Sequence, residues 1–383
     1  MSAQKPTIRF EQKAVTAAAP EAVAESAQAV AKFEIHYHQY LNFRGEATQP
    51  LPDFAGNAQQ MTGFYKTMVL TRLFDRKAIA LQRTGQLGTY ASSLGQEAIG
   101  VALGTAMRPD DVLLPAYREY AAQFLRGVRM TDILLYWGGD ERGMDYRIPR
   151  EDFPICVPIA SQSTHAVGVA YAFKYRQQPR VAVCVLGDGA TSKGDFYEAI
   201  NVAGAWHLPV LFVINNNQWA ISAPRHSQSA AETLAQKAIA AGFSGEQVDG
   251  NDIIALYERV QQALENIRDT GRPMLIEALT YRICDHTTAD DARRYRSDRE
   301  VETQRAYDPL RRLKQYLLEA GYWDSDRDKA LMEICNTDID AAVKTYLDTP
   351  AQGLESMFDY LYENLPDALV EQRTQASRNN SHG

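Results

Sequence analysis

The stretch VLGDGATSKGDFYEAINVAG, Val185–Gly204, carries glycines of the kind that let a backbone approach phosphate, yet Asp188 sits between Gly187 and Gly189. A dinucleotide-binding turn, G-x-G-x-x-G, fits Gly187 and Gly189 but meets Ser192 at its third position. A nucleotide P-loop fits Gly189 and Gly194 but has Asp195 where the lysine must be. Both patterns fail at a residue that carries their mechanism. A carboxylate can serve an anion only through a cation. Some thirty residues on stand three asparagines, Asn215 to Asn217, after a second apolar run. If the two runs are neighbouring parallel strands, Asp188 and Asn217 meet beyond their carboxyl ends, where open α/β sheets bind ligands. A carboxylate, an amide oxygen and a nearby carbonyl are hard ligands suited to Mg²⁺ or Ca²⁺, and Mg²⁺ completes its shell with phosphate and water. Asp188 is therefore expected to hold a metal that bridges to a phosphate.

The elements needed to place these groups are visible. RVAVCVLGDG and LPVLFVINNN are continuous apolar runs, as in strands buried on both faces. DFYEAINVAGAWH between them has helical spacing, which makes a βαβ unit and predicts an α/β fold with a mainly parallel sheet flanked by helices. DIIALYERVQQALENIRDTG and PMLIEALTYRI read as a further helix and strand, and AETLAQKAIAAGF with GEQVDG as another pair. Residues 58–83 read as an amphipathic helix stopped by Gly85. GQEAIGVALGTAM reads as a small-residue helix packed under the sheet. The expected organisation is a flexible extension over 1–56, the α/β domain over 57–305, a helical region over 306–370 and a frayed tail over 371–383.

Composition narrows the function classes. The 383 residues carry a net charge of -8, which argues against nucleic acid or an anionic membrane as partner. No apolar run is long enough to span a bilayer, and the start has no secretory core. Four cysteines, Cys156, Cys184, Cys284 and Cys335, form no C-x-x-C and read as free thiols of a cytoplasmic protein.

A GDG followed about thirty residues later by NN resembles the thiamine diphosphate motif. The longer match, GDGATSKGDFYEAINVAGAWHLPVLFVINNNQWAIS, together with GTYASSLGQEA, LPAYREY, SQSTHAVGVAYA and TYRICDHTTADDARRYRS, resembles the alpha subunits of the decarboxylating component of 2-oxo acid dehydrogenase complexes. The resemblance runs from about Met61 to Trp323 and is nearest the bacterial pyruvate-type subunits. It implies a thiamine diphosphate-binding fold with Mg²⁺ held by Asp188, Asn217 and the carbonyl of Trp219. It gives Gly189 and Ala190 to the diphosphate through backbone N–H groups, with Tyr117 and Arg118 beside them. Val157 and Ile159 meet the aminopyrimidine ring through the main chain, and His286 is a catalytic and cofactor-binding residue on an active-site loop. The implied reaction is decarboxylation of pyruvate with transfer of the acetyl group to a lipoyl carrier, with branched-chain 2-oxo acids as the alternative substrate. The implied partners are a beta subunit, in an α₂β₂ heterotetramer, and a lipoyl-bearing acyltransferase.

Three positions depart from the family pattern. Ala91 replaces a histidine of some members and leaves room for a larger substrate. Asn215 replaces an arginine that some use on the diphosphate. Thr287 replaces a phosphorylated serine of mitochondrial members. The charged run RRYRSDRE is expected to close the cofactor channel. His165 is read as structural, and His36 and His38 receive no role.

Overall fold

Six strands form the sheet, of which the sequence predicts β3 to β6: β1 (Tyr37–His38), β2 (Val112–Leu114), β3 (Ala182–Gly187), β4 (Val210–Asn216), β5 (Ser244–Asp249) and β6 (Met274–Leu279). Their order is β1-β5-β6-β4-β3-β2, and every neighbouring pair is parallel. The protein is seen in a computed structural model that describes residues 30–380. Residues from Ile35 onward form one compact unit. The main helices are α1 (Ala58–Arg83), α2 (Glu97–Ala106), α3 (Tyr120–Leu125), α4 (Ser161–Tyr175), α5 (Gly194–Trp206), α6 (Ile253–Thr270), α7 (Pro309–Glu319) and α8 (Ser325–Leu347). Among the described residues no helix is long and apolar enough to cross a membrane.

The two central strands are apolar throughout because both faces are covered. Val183, Val185, Leu211 and Val213 point into one core with α1, α2 and α6. Their alternates, Cys184, Leu186, Phe212 and Ile214, point into a second core with α4 and α5. This two-residue alternation fixes the register, since a slip of one residue exchanges the faces of a strand. Helix boundaries follow local chemistry. Asn57 caps α1 by accepting from the N–H groups of Gln59 and Gln60. Asp252 caps α6, and Gly271 ends it in the left-handed conformation.

Several expectations need correction. The extension over 1–56 is too long. Tyr37–His38 pair with β5, and the N–H groups of Tyr40 and Leu41 donate to Asp252 Oδ2 at 2.6 and 2.7 Å. Two-residue pairing and side-chain acceptors leave no periodic signal in a Gly- and Pro-containing stretch. The part of the extension over 1–29 lies outside the described residues. The helical region from 306 is no separate body, because α7 and α8 pack on α1 within the same unit. The frayed tail is, over Asp367–Asn380, a helix. The helix expected from AETLAQKAIAAGF shrinks to Lys237–Ala240.

The small residues of α2 share the core under the sheet with the strands and also lie close against α3 and α6. A Cβ built on Gly100 would stand 2.9 Å from the Cβ of Ala121 and 3.1 Å from the N of Ala122, so glycine sets the spacing to α3. Gly63 of α1 is exposed with no atom within 4 Å of an added Cβ. Gly100→Val is expected to lower the unfolding free energy by about 1–3 kcal/mol through overpacking, whereas Gly63→Ala raises it by up to about 1 kcal/mol through helix propensity. Urea unfolding of both variants, read by far-ultraviolet circular dichroism, checks the pair.

Candidate functional site

Four consecutive strands of the sheet, β6, β4, β3 and β2, deliver their carboxyl-terminal loops to one cavity of about 320 Å³. β2 leads to Tyr117 and Arg118, β3 to Asp188, β4 to Asn217, and β6 to Arg282 and His286. The register of β3 and β4 pairs Gly187 with Asn215, so the loops start level with each other. Of the ten residues expected, Tyr117, Arg118, Ile159, Asp188, Gly189, Ala190, Asn217, Trp219 and His286 line the cavity. Val157 does not; it is 46% exposed.

Asp188 opens a 3-10 turn, Asp188–Ser192, and is buried with its Oδ2 unpartnered. Burial pushes its pKa up to about 6, although the N–H of Gly189 and the nearby Arg282 and Arg225 favour the charged form. A bare buried carboxylate oxygen is costly unless something of opposite charge meets it. Asn217 is oriented for the same task. Its Nδ2 donates to Gln96 Oε1 at 3.1 Å, which leaves Oδ1 as the outward end; the N–H of Trp219 approaches that oxygen at 3.3 Å. The carbonyl of Trp219 also accepts from an Arg282 guanidinium N–H at 3.2 Å. A carboxylate, an amide and a carbonyl oxygen at one place fit a hard divalent cation. Among the described residues no group of three His, Cys, Asp or Glu side chains is placed to hold a metal ion. Gly189 is required by its neighbours in the protein, since a Cβ there would stand 2.5 Å from the Cβ of Ala220.

Two buried guanidinium groups flank the carboxylate. Arg118 donates to the carbonyls of Ser92 and, at 2.7 Å, of His286, and lies over the Tyr117 ring. Arg282 is fully buried; it donates to the carbonyls of Trp219 and Ile221 and pairs with the Tyr295 hydroxyl, and its Nε has no partner. Both are bonded to neutral groups; Arg118 lines the cavity, whereas Arg282 lies behind the lining and acts on Asp188 through space. His286 stands between them, its Nδ1 3.2 Å from an N–H of Arg118. An arginine can only donate, so Nδ1 accepts and the proton of the neutral ring is on Nε2. Burial and the two arginines hold the pKa of His286 well below its ordinary value, at about 4.

Four contributors lie outside the sequence reading. Gln96 holds both Asn217 and, at 2.8 Å, the Nδ2 of Asn215. The Asn215 that replaces an arginine is thus a brace, tied also to the Thr280 hydroxyl. Arg282 supplies a positive charge that Asn215 cannot. Glu119 lines the cavity, accepts from the N–H of Arg118 at 3.2 Å, and has its pKa raised by burial. Gln162 donates to the carbonyl of Val185 and leaves a buried oxygen unpartnered. Gln96 and Arg282 stood inside quoted motifs, but nothing in their spacing separated them from neighbours.

Ala91 is fully buried in the core, outside the cavity lining, so it gives the substrate no extra room. No residue of RRYRSDRE lines the cavity; Arg296 instead donates to the carbonyls of Arg282, Ile283 and Cys284 and braces the His286 loop from behind. His165 stacks on Phe153 near the start of α4. All four cysteines are free.

Sequence comparison gives this site relatives. The profile of the family described as dehydrogenase E1 component matches residues 65–355. The pyruvate dehydrogenase E1 component subunit alpha of Mycoplasma genitalium is 37% identical over 342 residues, covering 89% of this chain and 95% of that protein. The protein of the same name from Staphylococcus aureus is 40% identical over 316 residues, covering 82% and 85%. With this coverage, and the strand-end cavity its motifs build, the chain belongs to the dehydrogenase E1 component family.

Proposed function

We propose that this chain is the alpha subunit of a pyruvate dehydrogenase E1 component, binding thiamine diphosphate through Mg²⁺ and passing the acetyl group to a lipoyl carrier. The observation that carries the reading is the unpartnered buried oxygen of Asp188, set beside Asn217 at the carboxyl ends of paired strands, with Arg118 in the same cavity and the charge of Arg282 acting from behind it. Asp188, Asn217 and the Trp219 carbonyl would hold the cation. The backbone of Gly189 and Ala190, with Arg118 and Tyr117, would hold the diphosphate, and Ile159 would meet the ring. Thiamine diphosphate, when bound, supplies the nucleophilic carbon and the electron sink that loss of carbon dioxide from a 2-oxo acid requires. His286, neutral with a proton on Nε2, is a hydrogen-bond donor to the substrate or the diphosphate rather than a second fixed cation. Pyruvate is preferred over branched-chain acids because the relatives named above are pyruvate dehydrogenase subunits and Ala91 opens no space.

The site is half of a catalyst. Ile159 and Ile221 line the cavity yet are 42% and 54% exposed, an apolar rim suited to cover by a second chain. We assign that cover to a beta subunit in an α₂β₂ heterotetramer, served by a lipoyl-bearing acyltransferase. Four free thiols suit a reducing, cytoplasmic setting.

Calorimetric titration of thiamine diphosphate with Mg²⁺ into the chain co-expressed with its beta subunit tests the reading. Binding is expected for the wild type and absent for Asp188→Ala; a wild-type complex that binds none overturns it. Gln96→Leu removes the brace from Asn217 and is expected to weaken Mg²⁺ binding by about 10–100-fold, as losses behind a metal ligand do, measured as the Mg²⁺ concentration at half-saturation. The His286 shift has a stability consequence. Its folded pKa of about 4 lies below the ordinary 6.5, so the unfolded chain takes up the proton first as pH falls. The contribution is complete above pH 6.5 and lost toward pH 4. His286→Gln should therefore lose less stability than the wild type between pH 7.5 and 5, read as denaturation midpoints in both buffers.

A further inference from the structure

Lys237 is a buried ammonium without a counter-ion. It begins the short helix Lys237–Ala240 and is 6% exposed. Its Nζ donates to the carbonyl of Thr191 at 2.8 Å and to the Thr191 hydroxyl at 2.9 Å, and lies 5.0 Å from the centre of the Tyr197 ring. Among the described residues no carboxylate pairs with it. A cation so buried, bonded only to neutral oxygens and a ring face, is expensive to retain unless an anion compensates it.

Thr191 is fully buried on the inner side of the turn Asp188–Ser192, and its hydroxyl donates to the carbonyl of Asp188 at 2.8 Å. The outer side of the same turn presents Asp188, Gly189 and Ala190 to the cavity. A hydrogen-bonded chain thus runs from the ammonium through Thr191 to Asp188. The turn is also tied by the Ser192 hydroxyl to the carbonyl of Gln228 at 3.1 Å, but that tie is neutral and exposed.

We propose that Lys237 is a positioning residue for the diphosphate: it fixes the turn through Thr191 and supplies positive charge from behind it. The proposal rests on the cofactor reading above. It adds to the site a cation from the segment between β4 and β5 that lies behind the turn rather than in the cavity lining.

The test uses the complex with the beta subunit. Dissociation constants for thiamine diphosphate and for inorganic pyrophosphate, both with Mg²⁺, are measured by calorimetry for the wild type, Lys237→Met and Thr191→Val. Loss of the charged hydrogen bonds in Lys237→Met is expected to raise both constants by about tenfold. Equal losses for the two ligands mark an effect on the diphosphate, whereas a general loosening of the cavity weakens thiamine diphosphate more than pyrophosphate and overturns the assignment. The wild-type affinity should also fall more steeply with added salt than that of Lys237→Met. Thr191→Val, which keeps the charge but breaks the chain to Asp188, is expected to weaken both ligands about threefold. If Lys237→Met does not assemble, wild-type affinity in Thr191→Val sinks the proposal. A wild-type complex that binds no thiamine diphosphate defeats the cofactor reading instead, and unchanged binding by Lys237→Met beside a binding wild type defeats only this inference.

Discussion

The parallel pairing of β3 with β4, Gly187 level with Asn215, is the constraint from which the site follows. Parallel strands end together, so their carboxyl-terminal loops open at one edge of the sheet. The pairings of β2 with β3 and of β4 with β6 extend that edge to Tyr117, Arg118, Arg282 and His286. None of these residues is near Asp188 in sequence. The register is held by side chains that alternate between two separate cores, so it cannot slip without emptying both.

On this frame the protein keeps charges apart that would ordinarily be paired. Arg118 and Arg282 are bonded to carbonyls, hydroxyl and ring atoms, while Asp188 has an open oxygen. Direct pairing would satisfy all three groups and leave nothing for a ligand. The surroundings prevent it. Arg118 is held toward the His286 loop, Arg282 toward the Trp219–Ile221 turn, and Asn217 is turned by Gln96. Other buried charges are paired directly, as Arg72 is with Glu97 at 2.5 Å and Arg312 with Asp249 at 2.6 Å. The contrast separates groups that hold the fold from groups kept available for chemistry.

Much of this was legible in the residues. Asp188 and Asn217 could be placed together because their spacing encloses a βαβ unit whose apolar runs are unambiguous. The helix over 58–83 was readable because its apolar spacing and its terminating Gly85 are local. What could not be read depends on contacts between distant segments. Gln96 matters because α2 begins beneath the ends of β4, and Arg282 because β6 lies next to β4 rather than β3. The docking of residues 37–41 uses two strand residues and the distant carboxylates of Asp249, Asp252 and Glu258, which leave no local pattern. The Asn215 substitution looked like a lost cation; only its bonds to Gln96 and Thr280 show it as a brace.

The two outer strands of the sheet, β1 and β2, are two and three residues long. A parallel sheet with full-length outer strands would offer rows of unsatisfied peptide groups to any extended chain nearby. Here each edge is nearly closed. Beyond β1 the backbone turns to give its N–H groups to Asp252, and beyond β2 it leaves for the Arg118 loop. The same brevity that hid β1 in the sequence leaves a foreign strand few peptide groups to pair with at either edge of the sheet.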